Sequence, residues 1–201
     1  DKRECWIQLA GRVGARNPYY RELARVNIDT GEMATLVSSD HDYSLDSKGI
    51  SFSNDFVVIT RSRVDESPVT QLYDRNGKTV LTVETADIAG LPEGWQWPEP
   101  VTMKADDGVT DIYGVVFRPS NFDPNKKYPI LDSGLTAPFA SMFPTSAFFI
   151  KLLLSGTAQG NFFTMTYSAL AELGFIVVCI ESRGTPYRSK AFHDFSYGPF
   201  M

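Results

Sequence analysis

The stretch Phe163-Thr164-Met165-Thr166-Tyr167-Ser168-Ala169-Leu170-Ala171-Glu172-Leu173-Gly174-Phe175-Ile176-Val177-Val178-Cys179-Ile180 decides the fold class. Its first part, Phe163 to Leu173, carries apolar residues at helical spacing, and Gly174 stands where a left-handed C′ residue ends a helix. The run Phe175 to Ile180 is continuously apolar, which predicts a strand buried on both faces at the centre of a mostly parallel sheet. A helix leading through one glycine into such a strand is the second half of a crossover connection.

Working backwards, Val101 to Ala105, Asp111 to Arg118 and Tyr128 to Asp132 are strand candidates. Asp106-Asp107-Gly108 is a tight turn between the first two. The adjacent acids invite a metal reading, but no third ligand is spaced for one, so a solvated turn is expected. Strand hairpin, crossover helix and buried strand together predict the opening of an α/β-hydrolase domain over residues 101–201. Upstream, Ala89-Gly90-Leu91-Pro92-Glu93-Gly94-Trp95-Gln96-Trp97-Pro98-Glu99-Pro100 reads as a connector, assigned to 87–100, with Trp95 and Trp97 pinning it by packing.

Residues 1–86 read as short strands: Trp6 to Ala10, Leu23 to Ile28, Ala34 to Val37, Ile50 to Phe52, Phe56 to Arg61, Thr70 to Tyr73 and Thr79 to Val83. Asn76-Gly77 is the best short-range hairpin signal and predicts a type I′ turn. Asp29-Thr30-Gly31-Glu32 is a looser version. Gly31 and Gly77 are spaced within the ~40–50 residues of one four-stranded propeller blade, so two terminal β-propeller blades are expected.

Composition limits function. The 201 residues are 43% hydrophobic and 21% charged with a formal charge of −5, and no basic run offers a nucleic-acid footprint. The longest apolar stretch, Ala147 to Leu154, is broken by Lys151 and falls far short of the ~20 residues of a membrane span; a buried or interfacial helix is expected there. The chain opens at Asp1 without a positively charged leader and apolar core, so any signal peptide is expected upstream of it, which leaves the compartment open between periplasmic, secreted and cytoplasmic. Cys5 and Cys179 are expected as free thiols, and no cofactor is implied.

A hydrolase needs a nucleophile on a strained strand-to-helix turn flanked by glycines, and no Gly-x-Ser-x-Gly occurs. Ser182 follows a strand, but Ile180 occupies the required glycine position and Pro186 opposes an immediate helix. Ser196 has no strand before it. No acid lies between Ser182 and His193, and His41 lies upstream, so no triad can be drawn in the order serine, acid, histidine.

Several segments in order resemble the dipeptidyl peptidase IV branch of the prolyl oligopeptidase family. They are Tyr20-Arg21-Glu22-Leu23-Ala24-Arg25-Val26-Asn27-Ile28-Asp29-Thr30-Gly31-Glu32 and Ser62 to Val69 for two late blades, Asp106 to Phe122 with Lys127-Tyr128-Pro129 for the first hydrolase strands, and Leu173-Gly174-Phe175 through Arg183-Gly184-Thr185-Pro186-Tyr187-Arg188 for the strand and loop before the catalytic serine. The resemblance implies a fragment of a serine peptidase that releases N-terminal dipeptides, with its triad beyond Met201 and the fragment itself inactive. A peptide substrate and a homodimer are the partners it implies.

The family's oxyanion tyrosine matches Leu135 here, which cannot donate a hydrogen bond. Arg183 and Tyr187 are candidates for positions near the site. The alternative is a non-catalytic peptide- or protein-binding homologue on the same scaffold. An independent β-rich binding module is the third reading, and the order of the segments disfavours it. Truncation is expected to leave the strand Phe175 to Ile180 without its next sheet neighbour, and so to promote self-association or a rearranged C-terminal half.

Overall fold

The computed structural model describes residues 3–11, 16–132, 136–137, 140–141, 144–147 and 162–196. The chain is mostly β-sheet with few helices and divides into two compact units, Asp1–Arg63 with Ser67–Asp87, and Val64–Glu66 with Ile88–Met201.

In the first unit, β1 (Glu4–Leu9), β2 (Glu22–Asn27) and β3 (Met33–Val37) form an antiparallel sheet. The next sheet follows chain order, β4 (Asp42–Ile50), β5 (Phe56–Arg63), β6 (Glu66–Asp74) and β7 (Thr79–Thr85). Leu23, Tyr43, Val57, Ile59 and Tyr73 bury their side chains together, with Trp6, Leu36, Val37, Leu45 and Ile50 packed around them. The buried Asp42 carboxylate accepts a two-pronged Arg21 guanidinium at 2.8 and 2.7 Å and the Arg21 amide at 2.9 Å, so its charge is fully answered at the start of β4.

Two expectations are corrected here. The Asn76-Gly77 hairpin exists, but only Gly77 has positive φ, at 81°. Gly77 N donates to Asp74 O at 3.0 Å and Asp74 N to Lys78 O at 2.9 Å, a type I turn closed by a left-handed glycine instead of a type I′ turn. The Asp74 carboxylate accepts the amides of Asn76 and Lys78 at 2.8 and 3.0 Å and so holds the wider loop. The strand expected at Ile50 to Phe52 is instead the end of β4, which runs back to Asp42 through a register shift between Leu45 and Ile50.

In the second unit, β8 (Glu99–Lys104) and β9 (Asp111–Phe117) form a hairpin. β10 (Ile130–Asp132), the short pair β11 (Thr136–Ala137) and β12 (Ala140–Ser141), α1 (Phe162–Glu172), β13 (Ile176–Ile180) and α2 (Lys190–Asp194) follow. The main sheet has the order β10-β13-β9-β8. Only β10 and β13 are parallel; β13 with β9 and β9 with β8 are antiparallel.

The expected lack of a neighbour for β13 is therefore wrong. The strand sits inside the sheet, and among the described residues β10, with Ile130 exposed, is the edge. Its burial alternates, with Val177 and Cys179 fully covered and Ile176, Val178 and Ile180 half-buried. The covered face lies under α1, where Tyr167 and Ala171, one turn apart, meet Val115, Phe117 and Val64. The Tyr167 ring meets Phe117 edge-on at 5.4 Å. Gly174 ends α1 with φ 96°, as a C′ residue should. The apolar stretch Ala147 to Leu154 lies outside the described residues except for Ala147, which is buried. No helix among the described residues is long and apolar enough to cross a membrane.

Candidate functional site at the carboxyl edge of the mixed sheet

The parallel pairing of Asp132 with Val178 brings the carboxyl ends of β10 and β13 to one edge of the sheet. In open α/β sheets, ligands bind outside the carboxyl ends of the strands. β9 starts at this edge, since Ile180 pairs with Gly114 and the Glu181 amide donates to the Tyr113 carbonyl at 3.0 Å. The β8–β9 turn belongs to it too. Leu135 lies outside the described residues, three positions after β10.

The loop after β13 is built around a buried ion pair. Glu181 has a fully buried side chain, and its Oε1 accepts the Tyr113 amide at 2.9 Å and Arg188 Nη1 at 2.8 Å. The same Arg188 nitrogen donates to the Asp111 carbonyl at 2.6 Å, and the guanidinium lies over Phe192 at 4.0 Å and Tyr113 at 5.4 Å. The loop thus turns back and closes on the start of β9. Thr185, buried inside it, donates its hydroxyl to the Ser182 carbonyl at 3.3 Å. Gly184 has φ 101°, and a Cβ there would lie 2.4 Å from that of Ser196. Ser189 caps α2, its hydroxyl accepting the Phe192 amide at 3.2 Å.

Of the residues singled out in the sequence, Arg183 reaches Asp106 at 3.2 Å and Asp107 at 3.3 Å, with its guanidinium 3.7 Å from the centre of the Phe195 ring. Asp107 also caps its own turn. Hydrogen bonds from the Thr110 hydroxyl and from the Thr110 and Val109 amides hold its carboxyl down at about 2. The turn is solvated, as expected, and no group of three potential metal ligands occurs among the described residues. Tyr187 is 62% exposed at φ 71°.

Neither serine candidate sits on a nucleophile elbow. A turn, not a helix, follows Ser182, and the Ser196 hydroxyl donates to the carbonyls of His193 and Gly184 at 3.0 and 3.3 Å. Ser39 and His41 lie 2.8 Å apart, but arginine can only donate. The Arg61–His41 contact at 2.8 Å therefore makes Nε2 the acceptor and leaves the proton on Nδ1, facing Ser39. That orientation is the reverse of a base and its nucleophile.

Cys5 is exposed and Cys179 buried, both free. Burial pushes the Cys179 thiol up to about 11 against a lowering hydrogen bond with Tyr167, which leaves it unreactive near neutrality. Trp95 and Trp97 meet edge-to-face at 4.8 Å, both half-buried. The Glu181–Arg188 pair was not singled out in the sequence; the only signal was an acid directly after a buried strand.

No family model matches the chain. Dipeptidyl peptidase 8 from mouse and from human is 29% identical over 106 residues, 53% of this chain and 10% of those proteins. A protein assigned as dipeptidyl aminopeptidase IV from Bacteroides ovatus superposes with a TM-score of 0.61 at 24% identity. Porphyromonas gingivalis dipeptidyl peptidase 4 superposes at 0.65 and 19%. This chain resembles the dipeptidyl peptidase IV group. Both solved structures match 96% of the chain, which spans 25% of theirs, so the likeness concerns the fold of one quarter of such a protein.

Proposed function

We propose that the chain is part of a serine-type peptidase of the dipeptidyl peptidase IV kind, in which 1–86 form late β-propeller blades, 87–100 a connector and 101–201 the first part of an α/β-hydrolase domain. The observation that carries this reading is the order of elements along a fold shared with dipeptidyl peptidase structures over 96% of the chain. A three-stranded antiparallel sheet and a four-stranded meander come first, then a hairpin, a helix and a strand inserted between the hairpin and β10. Peptides with a free N-terminal dipeptide are the proposed substrates. The chain alone, with no Gly-x-Ser-x-Gly, is proposed to be inactive.

Within this reading Leu135 holds the oxyanion position, and Arg183 and Tyr187 stand near the site on the loop after β13. Leu135 also favours a second reading, a non-catalytic peptide-binding homologue, because losing one oxyanion donor costs roughly 10²–10³ in turnover. Hydrolysis of chromogenic Ala-Pro and Gly-Pro dipeptide substrates by the full-length protein, beside the 201-residue chain, tests both. Turnover by the longer protein alone supports the peptidase; no turnover by a folded full-length protein favours the binding homologue.

A further inference from the structure

Left-handed backbone crowds any residue with a Cβ and suits glycine or asparagine far better than an aromatic residue. Among the described residues, three non-glycines adopt it: Arg3, Asn54 and Tyr187. At Tyr187 the surroundings impose the conformation. Thr185 is buried and bonded within the loop, Pro186 has a restricted φ, and Arg188 is tied to Glu181 and to the Asp111 carbonyl. Between these anchors the Tyr187 side chain stands 62% exposed, and its hydroxyl has no hydrogen-bond partner among the described residues. Folding gains little from a tyrosine here, and the backbone would be relieved by asparagine. Strain held in place by well-packed neighbours is found where a side chain is presented for use.

We infer that Tyr187 is a substrate-contacting residue, whose ring and hydroxyl are offered to an extended peptide at the carboxyl edge of the β10–β13 pair. The inference rests on the peptidase reading. A tyrosine joins an apolar face, suited to a prolyl or alanyl side chain, with a phenol able to bond a peptide carbonyl or amide. The fixed backbone keeps that contact preorganised.

Two measurements test it. In the full-length protein, Tyr187→Asn should raise KM for Ala-Pro substrates at least fivefold, with a smaller change in kcat, and Tyr187→Phe should fall between, as removal of a uniform binding contact requires. In the 201-residue chain, Tyr187→Asn should leave the urea midpoint unchanged or raise it. An unchanged KM, or a lowered midpoint without a KM effect, overturns the inference. If the wild-type full-length protein hydrolyses nothing, the peptidase reading fails on its own, and titration with the tripeptide Ala-Pro-Ala decides the contact. Weaker binding by Tyr187→Asn keeps it; equal binding, or none to wild type, ends it.

Discussion

Replacing Arg188 by methionine isolates the device that closes the loop after β13. Methionine keeps much of the contact with Phe192 but removes the charge and the hydrogen bonds to Glu181 Oε1 and the Asp111 carbonyl. The Glu181 side chain is fully buried, so its carboxylate would lose the Arg188 charge while keeping the Tyr113 amide. Breaking a buried pair from one side costs about 3–5 kcal/mol, a large share of the 5–15 kcal/mol that holds a typical domain. Glu181→Gln should cost less, about 1–3 kcal/mol, because the amide oxygen still accepts from Tyr113. In the double variant no buried charge remains, so the combined loss should fall short of the sum by at least 1 kcal/mol. Urea unfolding gives the free energies, and amide hydrogen exchange along β9 and β13 assigns them to the second unit. A change under 0.5 kcal/mol for Arg188→Met, or strict additivity in the cycle, would refute the claim that the pair holds the loop.

Gly77→Ala and Gly31→Ala form a matched comparison, with φ 81° and 74°, but a Cβ at Gly77 would lie 2.3 Å from the Leu36 carbonyl oxygen while that at Gly31 meets nothing within 4 Å. Gly31→Ala should cost only the backbone strain of about 1–2 kcal/mol and Gly77→Ala clearly more, by urea denaturation. Cys5 should react with a thiol reagent at once at pH 8, and Cys179 only on unfolding. Because the folded Cys179 thiol titrates near 11, above its unfolded value of 9.0, the native state retains the proton longer. Its contribution to stability is full below the unfolded value and lost as pH rises through 11, a dependence that Cys179→Ala should remove from the pH–stability curve. For Asp107, held near 2, the contribution is present above 3.8 and lost as pH falls through 2. Thr110→Val should move its carboxyl titration upward, as read by NMR.

Much of the backbone was legible because the signals were local. The spacing of Tyr167, Leu170 and Ala171, the stop at Gly174 and the apolar run after it each act within a few residues, and the helix, its end and the strand appear as read, although the strand is covered on alternate residues and not on both faces, in a sheet with one parallel pairing among the described strands. The first half of β4 was missed because Asp42-Tyr43-Ser44-Leu45-Asp46-Ser47-Lys48 is polar outside Tyr43 and Leu45. Those two do alternate as a half-buried strand should, and a signal of period 2 over three residues is too short to outweigh the acids. The Asn76-Gly77 turn was located but mistyped, since the type was decided by the Asp74 side chain bonding two amides.

At the candidate site the gap has one cause. Glu181 and Arg188 meet across a loop, at no helical or strand spacing, and both need the start of β9 to complete the pair. Arg183 finds its carboxylates on the β8–β9 turn. Such neighbours follow from sheet order, which the sequence does not state.

The insertion of β13 between β9 and β10 bears on how the chain is born. Tyr113 waits for Glu181, 68 residues later. At a synthesis rate of roughly 5–20 residues per second, that interval is about 3–14 s. Throughout it, β8 and β9 have emerged as a two-stranded hairpin, a form of marginal stability in water, and β10 has no partner in the sheet. Val115 and Phe117, fully covered in the finished sheet, have no α1 above them during that time. Slowing translation between Asp132 and Ile176 would therefore lengthen the exposure of the hairpin without altering a single native contact.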